Sequence, residues 1–192
     1  LLDDEKWMKN NYCSCEEMIG LLDWFKEYTG KNPARDLVEK IYVKVFNSRY
    51  IYWKESVKDG WKLLRDKYGP PSGATIQMVY FNQLLEINRY SMENLNYLEQ
   101  FTDIKPNTRE MFRVAKESGV ACEEGEIDNR PQELLRSELL RGDIGHVQSI
   151  EKQFGTRFEI DEIELQVLYA QVLIGDGHTE RRDVFRFLLE RT

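Results

Sequence analysis

The segment "DNRPQELLRSELLRGDIGHVQSIEKQFG", residues 128–155, decides the fold class because it contains two complete helix signatures in succession. An Asp-Asn pair stands before Pro131, and proline is well tolerated in the first turn of a helix. Gly142 ends the first helix, Asp143 caps the second, and Gly155 ends that one. Apolar residues recur at helical spacing between these signals. The segment therefore predicts two helices joined by a tight corner.

Similar helix-start and helix-stop residues recur along the rest of the chain. Ser/Thr/Asn caps, prolines in a first turn and glycines after a last turn separate apolar stripes of helical period. The predicted helix starts are Ser14 with Glu17, Asn32 with Pro33, Ser56 with Asp59, Thr75, Asn107 with Glu110, and Thr179. After a weak segment at 3–11, the predicted helices are 15–29, 33–53, 57–68, 76–90, 92–101, 108–118, 131–141, 144–154, 160–174 and 180–191.

One segment leaves an alternative open. The stretch "IYVKVFNSRYIYW", residues 41–53, is rich in β-branched and aromatic residues and is compatible with a strand. Its length and the capped start at Asn32 favour a helix. We therefore predict an all-α chain of eleven or twelve short helices.

The predicted helices fall into two groups of about six, divided near Ser91. This pattern predicts two consecutive six-helix antiparallel bundles packed together, with domains at 1–91 and 92–192. The halves differ in charge: residues 1–91 carry 14 basic and 13 acidic residues, and residues 92–192 carry 13 and 21. The acidic second half argues against nucleic-acid binding there, because phosphates require cationic neutralisation.

Three cysteines, Cys13, Cys15 and Cys122, form no disulfide framework and favour free thiols in a reducing compartment over a zinc site. The first residues are acidic and polar, unlike a signal peptide. No apolar run is long enough to span a membrane. We expect a cytoplasmic, non-secreted chain that is part of a longer protein.

No strong catalytic motif is present, and we expect no catalytic residue, cofactor or metal. Residues 175–180, Gly-Asp-Gly-His-Thr-Glu, lack the ligand spacing of an EF-hand and the lysine of a P-loop, so they predict a turn and a cap. The Arg141-Gly142-Asp143 tripeptide is interpreted as a helix stop and a cap. His146 has no nucleophile nearby in sequence, so a satisfied or exposed histidine is favoured.

The basic and aromatic stretch at 49–67 carries the clearest functional signal. Lys54, Lys58 and Lys62 recur every fourth residue, and Arg65 extends their stripe along one helix face. A plain solvated face is favoured, a protein-docking stripe comes next, and nucleic-acid binding comes last. In that last hypothesis Tyr50, Tyr52, Trp53 and Trp61 stack on bases.

The second candidate surface is an acidic loop that contains Glu123, Glu124 and Glu126. Such a loop is most often a solvated connector. It can also meet a basic partner surface, where charge complementarity contributes specificity and steering.

Two six-helix units without an active-site signature resemble tandem caspase recruitment domains, which belong to the death fold. The segments "CSCEEMIGLLDWFKEYTG" at 13–30 and "HTERRDVFRFLLERT" at 178–192 are similar to an early and a closing helix of such domains. Tandem domains of this kind occur at the N-terminus of RIG-I-like and Dicer-related RNA helicases. The 33–53 segment is long for that fold, and the boundary near Ser91 has almost no linker.

The resemblance implies an adaptor that binds another helical protein through charge-complementary surfaces. It further implies a role within a larger RNA helicase, in small-RNA silencing or RNA sensing, with any helicase activity outside this chain. Two alternatives remain: a helical nucleic-acid-binding accessory domain that uses residues 49–67, and a helical enzyme whose site is assembled from distant residues.

Overall fold

The computed structural model describes residues 15–46, 54–85, 91–123, 125, 127–157, 165–167, 170 and 181–191. These residues contain helices and no strand, so the all-α prediction is confirmed for this part of the chain. The helices are α1 (Cys15–Thr29), α2 (Arg35–Phe46), α3 (Lys54–Tyr68), α4 (Gly73–Leu85), α5 (Ser91–Phe101), α6 (Thr108–Glu117), α7 (Arg130–Arg141), α8 (Ile144–Phe154) and α9 (Arg181–Leu189).

The segment with the strand alternative is helical where it is described, since Ile41–Phe46 belongs to α2. Its remaining residues, 47–53, lie outside the described ranges. The predicted cap at Ser14 and the predicted turn at 175–180 also lie outside them. Of the predicted helix at 160–174, the described positions 165–167 and 170 are helical.

The chain divides into two compact units, Leu1–Val79 and Tyr80–Thr192. The division falls inside α4, so the first turns of that helix belong to the first unit and its last residues to the second. The predicted pair of six-helix bundles, with a boundary near Ser91, stays a prediction.

Four helix ends form as the sequence predicts. The Asn107 side chain accepts a hydrogen bond from the backbone N–H of Glu110 at 3.0 Å, which caps α6. Gly142 follows α7 with φ +84°, a left-handed conformation that glycine adopts without steric cost. The Asp143 side chain caps α8, and Gly155 ends it. The interpretation of Arg141-Gly142-Asp143 as a helix stop and a cap is therefore confirmed.

Three predicted helix starts are wrong. Helix α2 begins at Arg35 rather than Pro33, because the carbonyl of Ala34 accepts the first helical hydrogen bonds while Pro33 is buried ahead of them. Helix α4 begins before Thr75, because the Ser72 hydroxyl accepts from the Thr75 N–H at 3.2 Å and acts as the cap. Ser56 lies inside α3 instead of preceding it.

The first unit is built around Trp61, which is fully buried. Its indole N–H donates to the carbonyl of Tyr42 at 3.1 Å, and its ring meets the rings of Tyr42 and Phe46 at centroid distances of 5.2 and 4.9 Å. Leu64, three residues further along α3, is fully buried as well. Such aromatic contacts, added to the buried area, make Trp61 the centre of this core.

Polar side chains of α2 hold the corner between α3 and α4. Arg35 donates to the carbonyls of Tyr68, at 2.9 Å, and Pro70, while the Tyr42 hydroxyl donates to the carbonyl of Gly69 at 2.9 Å. The Glu39 carboxylate accepts from the backbone N–H of Ser72. These contacts satisfy backbone groups that a helix end leaves without an intrahelical partner.

The second unit has an apolar core drawn from α4 to α9. Its fully buried members include Leu84, Leu95, Met111, Leu135, Leu139, Val147, Ile150 and Leu188. A polar seam joins α5 to α8, where the side-chain oxygen of Asn96 accepts from Ser149 at 2.7 Å and Gln153 at 3.0 Å. Arg191, just after α9, pairs with Glu151 of α8 through its two terminal guanidinium nitrogens, Nη1 and Nη2.

An ion pair joins α1 to α3 in the first unit. Asp23 accepts hydrogen bonds from Lys67 Nζ at 2.5 Å and from the Tyr68 hydroxyl at 2.7 Å. The hydrogen bond from Lys67 lowers the pKa of Asp23, desolvation partly opposes this, and the Tyr68 hydroxyl lowers the pKa further. Asp23 is therefore a stronger acid in the folded chain than in the unfolded one.

This shift predicts a pH-dependent cost for Asp23→Asn. Above about pH 5 the variant should be less stable than wild type. The difference should begin to shrink as the pH falls through about 4, the ordinary pKa of an aspartate, and should disappear once the pH is below the lowered pKa of Asp23. Because the Asp23 side chain is 34% exposed, solvent screening keeps the effect below about 1 kcal/mol. Urea unfolding at several pH values measures it. Asp66→Asn, at an exposed position 3.7 Å from Arg65, is the control, and a difference that widens in acid would contradict the assignment.

Candidate interaction surfaces and a histidine–carboxylate cluster

The predicted basic stripe lies on α3. Lys58, Lys62 and Arg65 are exposed, and their spacing places them on one face of the helix. Lys54 is the first residue of α3, and its side chain lies outside the described part of the structure. The structure therefore brings the described members of the stripe together on the surface of the first unit.

The acidic loop is described only in part. Glu123 is exposed, while Glu124 and Glu126 lie outside the described residues. Ile127 is buried directly after them and ties the end of the loop to the core of the second unit. The loop's proposed charge-complementary role stays a prediction.

One of the four aromatic residues that the nucleic-acid hypothesis requires for base stacking is buried. Trp61 is fully buried and hydrogen-bonded within the core, so it does not present the ring face that the nucleic-acid hypothesis requires. An aromatic ring must expose a face to stack on a nucleotide. The other three proposed rings, Tyr50, Tyr52 and Trp53, lie outside the described residues.

Helix α1 instead presents an exposed apolar stripe formed by Leu21, Trp24 and Tyr28. Their exposed fractions are 39, 50 and 78%, and the rings of Trp24 and Tyr28 stack at 5.2 Å between centroids. The adjoining side of α1 buries Met18 and Leu22. We call the exposed set of Leu21, Trp24 and Tyr28 the α1 stripe.

The α1 stripe was missed from the sequence, although a signal for it exists. Leu21 and Tyr28 occur at helical spacing with Met18 and Leu22, which suggests one continuous buried face. Apolar residues nevertheless occupy more of the circumference of α1 than one contact with a core can cover. This wide apolar surface, together with two aromatic residues four positions apart, indicates a second apolar face.

The corner between α7 and α8 holds a histidine–carboxylate cluster made of Glu138, Asp143 and His146. His146 Nδ1 lies 2.9 Å from Glu138 Oε2 and 3.0 Å from Asp143 Oδ2. Glu138 is buried, with 3% of its side chain exposed, while His146 and Asp143 are 28 and 45% exposed. Of the two expected alternatives, a satisfied or an exposed histidine, the structure shows the first, and the partners are two carboxylates.

Local helix geometry creates this cluster. Glu138 lies in the last turn of α7, Gly142 turns the chain, Asp143 caps α8, and His146 lies in the first turn of α8. Arg141 binds the second oxygen of Glu138 at 2.5 Å and offsets part of its charge. One ligand atom from each of the three cluster residues lies within 4.8 Å of the others, and imidazole nitrogen with carboxylate oxygen is a common donor set for divalent transition metals.

No protein-family model, no curated protein and no solved structure matches the chain. None of the described helices is long and apolar enough to cross a lipid bilayer.

Proposed function

We propose that the chain is a protein-interaction module whose docking surface is the α1 stripe. The observation that carries this proposal is the stacked and exposed pair of Trp24 and Tyr28. Tryptophan and tyrosine are the residues that most often dominate the free energy of protein association. Keeping two such rings in water forgoes the favourable free energy of burial, which a partner's apolar side chains would recover.

The partner that fits best is a helix with aliphatic side chains on one face and acidic residues beside them. Leu21, Trp24 and Tyr28 follow one line along α1, which suits packing against another helix. The basic side chains of α3 belong to the same unit, and α3 packs on α1 through Lys67 and Asp23. Cationic groups on the surface of that unit attract an acidic partner and raise the rate of association.

The resemblance to tandem caspase recruitment domains gives this module a biological setting. Death-fold modules bind other helical domains, which agrees with the all-helical fold and with the unequal charges of the two halves. On this proposal the module is an adaptor within a larger cytoplasmic RNA helicase, in small-RNA silencing or RNA sensing. The chain itself performs no catalysis.

Replacing both rings should test the docking surface directly. We expect Trp24→Ala/Tyr28→Ala to weaken binding of the partner at least tenfold, about 1.4 kcal/mol, without unfolding the chain. A photo-crosslinking amino acid at position 28 identifies the partner in native extract. Biolayer interferometry with the purified partner then gives the affinity.

Leu189→Ala on α9 is the matched control, since Leu189 is also apolar and 66% exposed but lies on another helix. The triple charge reversal of Lys54, Lys58 and Lys62 to Glu measures the basic contribution and should mainly slow association. Equal affinity of the double variant and wild type would refute the α1 stripe as the docking surface. Steeply salt-dependent RNA binding that the triple reversal abolishes would favour the nucleic-acid alternative instead.

A further inference from the structure

The histidine–carboxylate cluster contains more acceptors than one proton can serve. Glu138 Oε2 and Asp143 Oδ2 both approach His146 Nδ1, at 2.9 and 3.0 Å. A ring nitrogen carries at most one hydrogen, so only one of these contacts can be a strong, linear hydrogen bond. A metal ion at the convergence point would instead bind all three atoms.

The remaining atoms of the two carboxylates are already held by other groups. Glu138 Oε1 accepts from Arg141, and Asp143 Oδ1 accepts from the backbone N–H of His146 at 2.9 Å. Each carboxylate therefore presents one fixed oxygen toward Nδ1. Partners that orient a ligating group in this way are typical of protein metal sites, because they remove the entropy cost of arranging the ligands.

The distances from His146 Nδ1 to the two carboxylate oxygens suit a transition-metal ion. Ligands at about 2.0–2.2 Å from zinc lie roughly 2.8–3.1 Å from one another in octahedral geometry and roughly 3.3–3.6 Å in tetrahedral geometry. The two distances from Nδ1 fall within the octahedral range. Glu138 is almost fully buried, and its charge would compensate the ion where water is scarce.

We propose that Glu138, Asp143 and His146 form a binding site for a divalent first-row transition metal of the zinc class. The neutral imidazole binds through Nδ1 and each carboxylate binds through one oxygen. Three protein ligands leave at least one coordination position for water or an external ligand. Because the ligands come from the end of α7, the α8 cap and the first turn of α8, the ion clamps the corner between these helices.

Isothermal titration of the reduced, metal-free protein with ZnCl₂ tests the site. We expect one zinc ion per chain that depends on His146, with binding at least tenfold weaker in His146→Gln. His178→Gln is the matched control, because His178 is the only other histidine in the chain, and it should bind as wild type does. Asp143→Asn keeps a good helix cap while removing one anionic ligand, so it should weaken zinc without loss of helix.

Two further readouts distinguish a metal site from a hydrogen-bonded cluster. Co²⁺, which has visible absorption bands sensitive to its ligands, should give a spectrum in wild type that His146→Gln lacks. Zinc should also raise the melting temperature of wild type and of His178→Gln, but not of His146→Gln. Equal zinc affinity in wild type and His146→Gln, with both proteins folded by circular dichroism, would assign any binding to other groups of the chain and refute the site. Absence of zinc binding in wild type would refute it equally.

Discussion

Trp61→Ala is expected to lower the free energy of unfolding of the first unit by about 3–5 kcal/mol, a large fraction of the stability of a typical domain. The indole is fully buried and packs against Tyr42 and Phe46. Its removal leaves a large cavity among side chains from two helices that can collapse only in part. It also removes the donor that satisfies the carbonyl of Tyr42.

Chemical denaturation and hydrogen exchange of the α2 and α3 amides measure this loss. Trp24→Ala is the matched control, since it deletes the same side chain at a position that is 50% exposed. The control should change stability by less than about 1 kcal/mol. Comparable losses in both variants would mean that Trp61 is not the centre of the core. Trp61→Phe separates packing from hydrogen bonding, because it keeps an aromatic ring but removes the N–H.

Trp61 and Trp24 illustrate which properties the sequence predicts and which depend on tertiary packing. Both residues occur in helices with apolar neighbours at helical spacing, so each helix is predicted to have an apolar face. Trp61 is the centre of a core because it packs against the rings of α2, whereas Trp24 lies on an exposed side of α1. Local signals predict a helix, while the identity of its neighbours depends on the tertiary arrangement.

Helix ends illustrate the same division between local and tertiary causes. Asn107, Gly142 and Asp143 were predicted correctly because the capping interaction involves atoms within a few residues. The start of α4 was misplaced because the Ser72 cap is supported by Glu39, a residue on another helix. The contact of Ser72 with Glu39 depends on tertiary packing, so the residues around Thr75 do not predict it.

The histidine–carboxylate cluster could not be recognised from residue spacing. Glu138 is five residues before Asp143 and eight before His146, so it does not share with them the three- or four-residue interval that aligns side chains on one helix. They converge because the chain turns at Gly142 between two helices, so the approach of His146 to Glu138 is a property of the corner. Asp143 and His146 alone, three residues apart across a helix cap, were predictable neighbours.

Leu139→Ala should be the most damaging aliphatic truncation at the same corner. Leu139 is fully buried on α7, one residue after Glu138, and its removal is expected to cost about 2–5 kcal/mol. The adjacent Leu140 is 41% exposed, so Leu140→Ala should change stability by no more than about 0.5 kcal/mol. Urea unfolding monitored by circular dichroism, with hydrogen exchange of the α7 and α8 amides, measures both.

The pair of leucines isolates burial from every other property of the substitution. Both variants lose the same atoms, and both exchange leucine for alanine within the last turn of α7, so their helix propensities change equally. A difference of about 2 kcal/mol or more between them can come only from the transfer of Leu139 into the core and from the cavity it leaves. Similar costs for both would place the core of the second unit elsewhere. A larger cost for Leu140→Ala would mean that α7 is rotated about its axis, which would also move Glu138 away from His146.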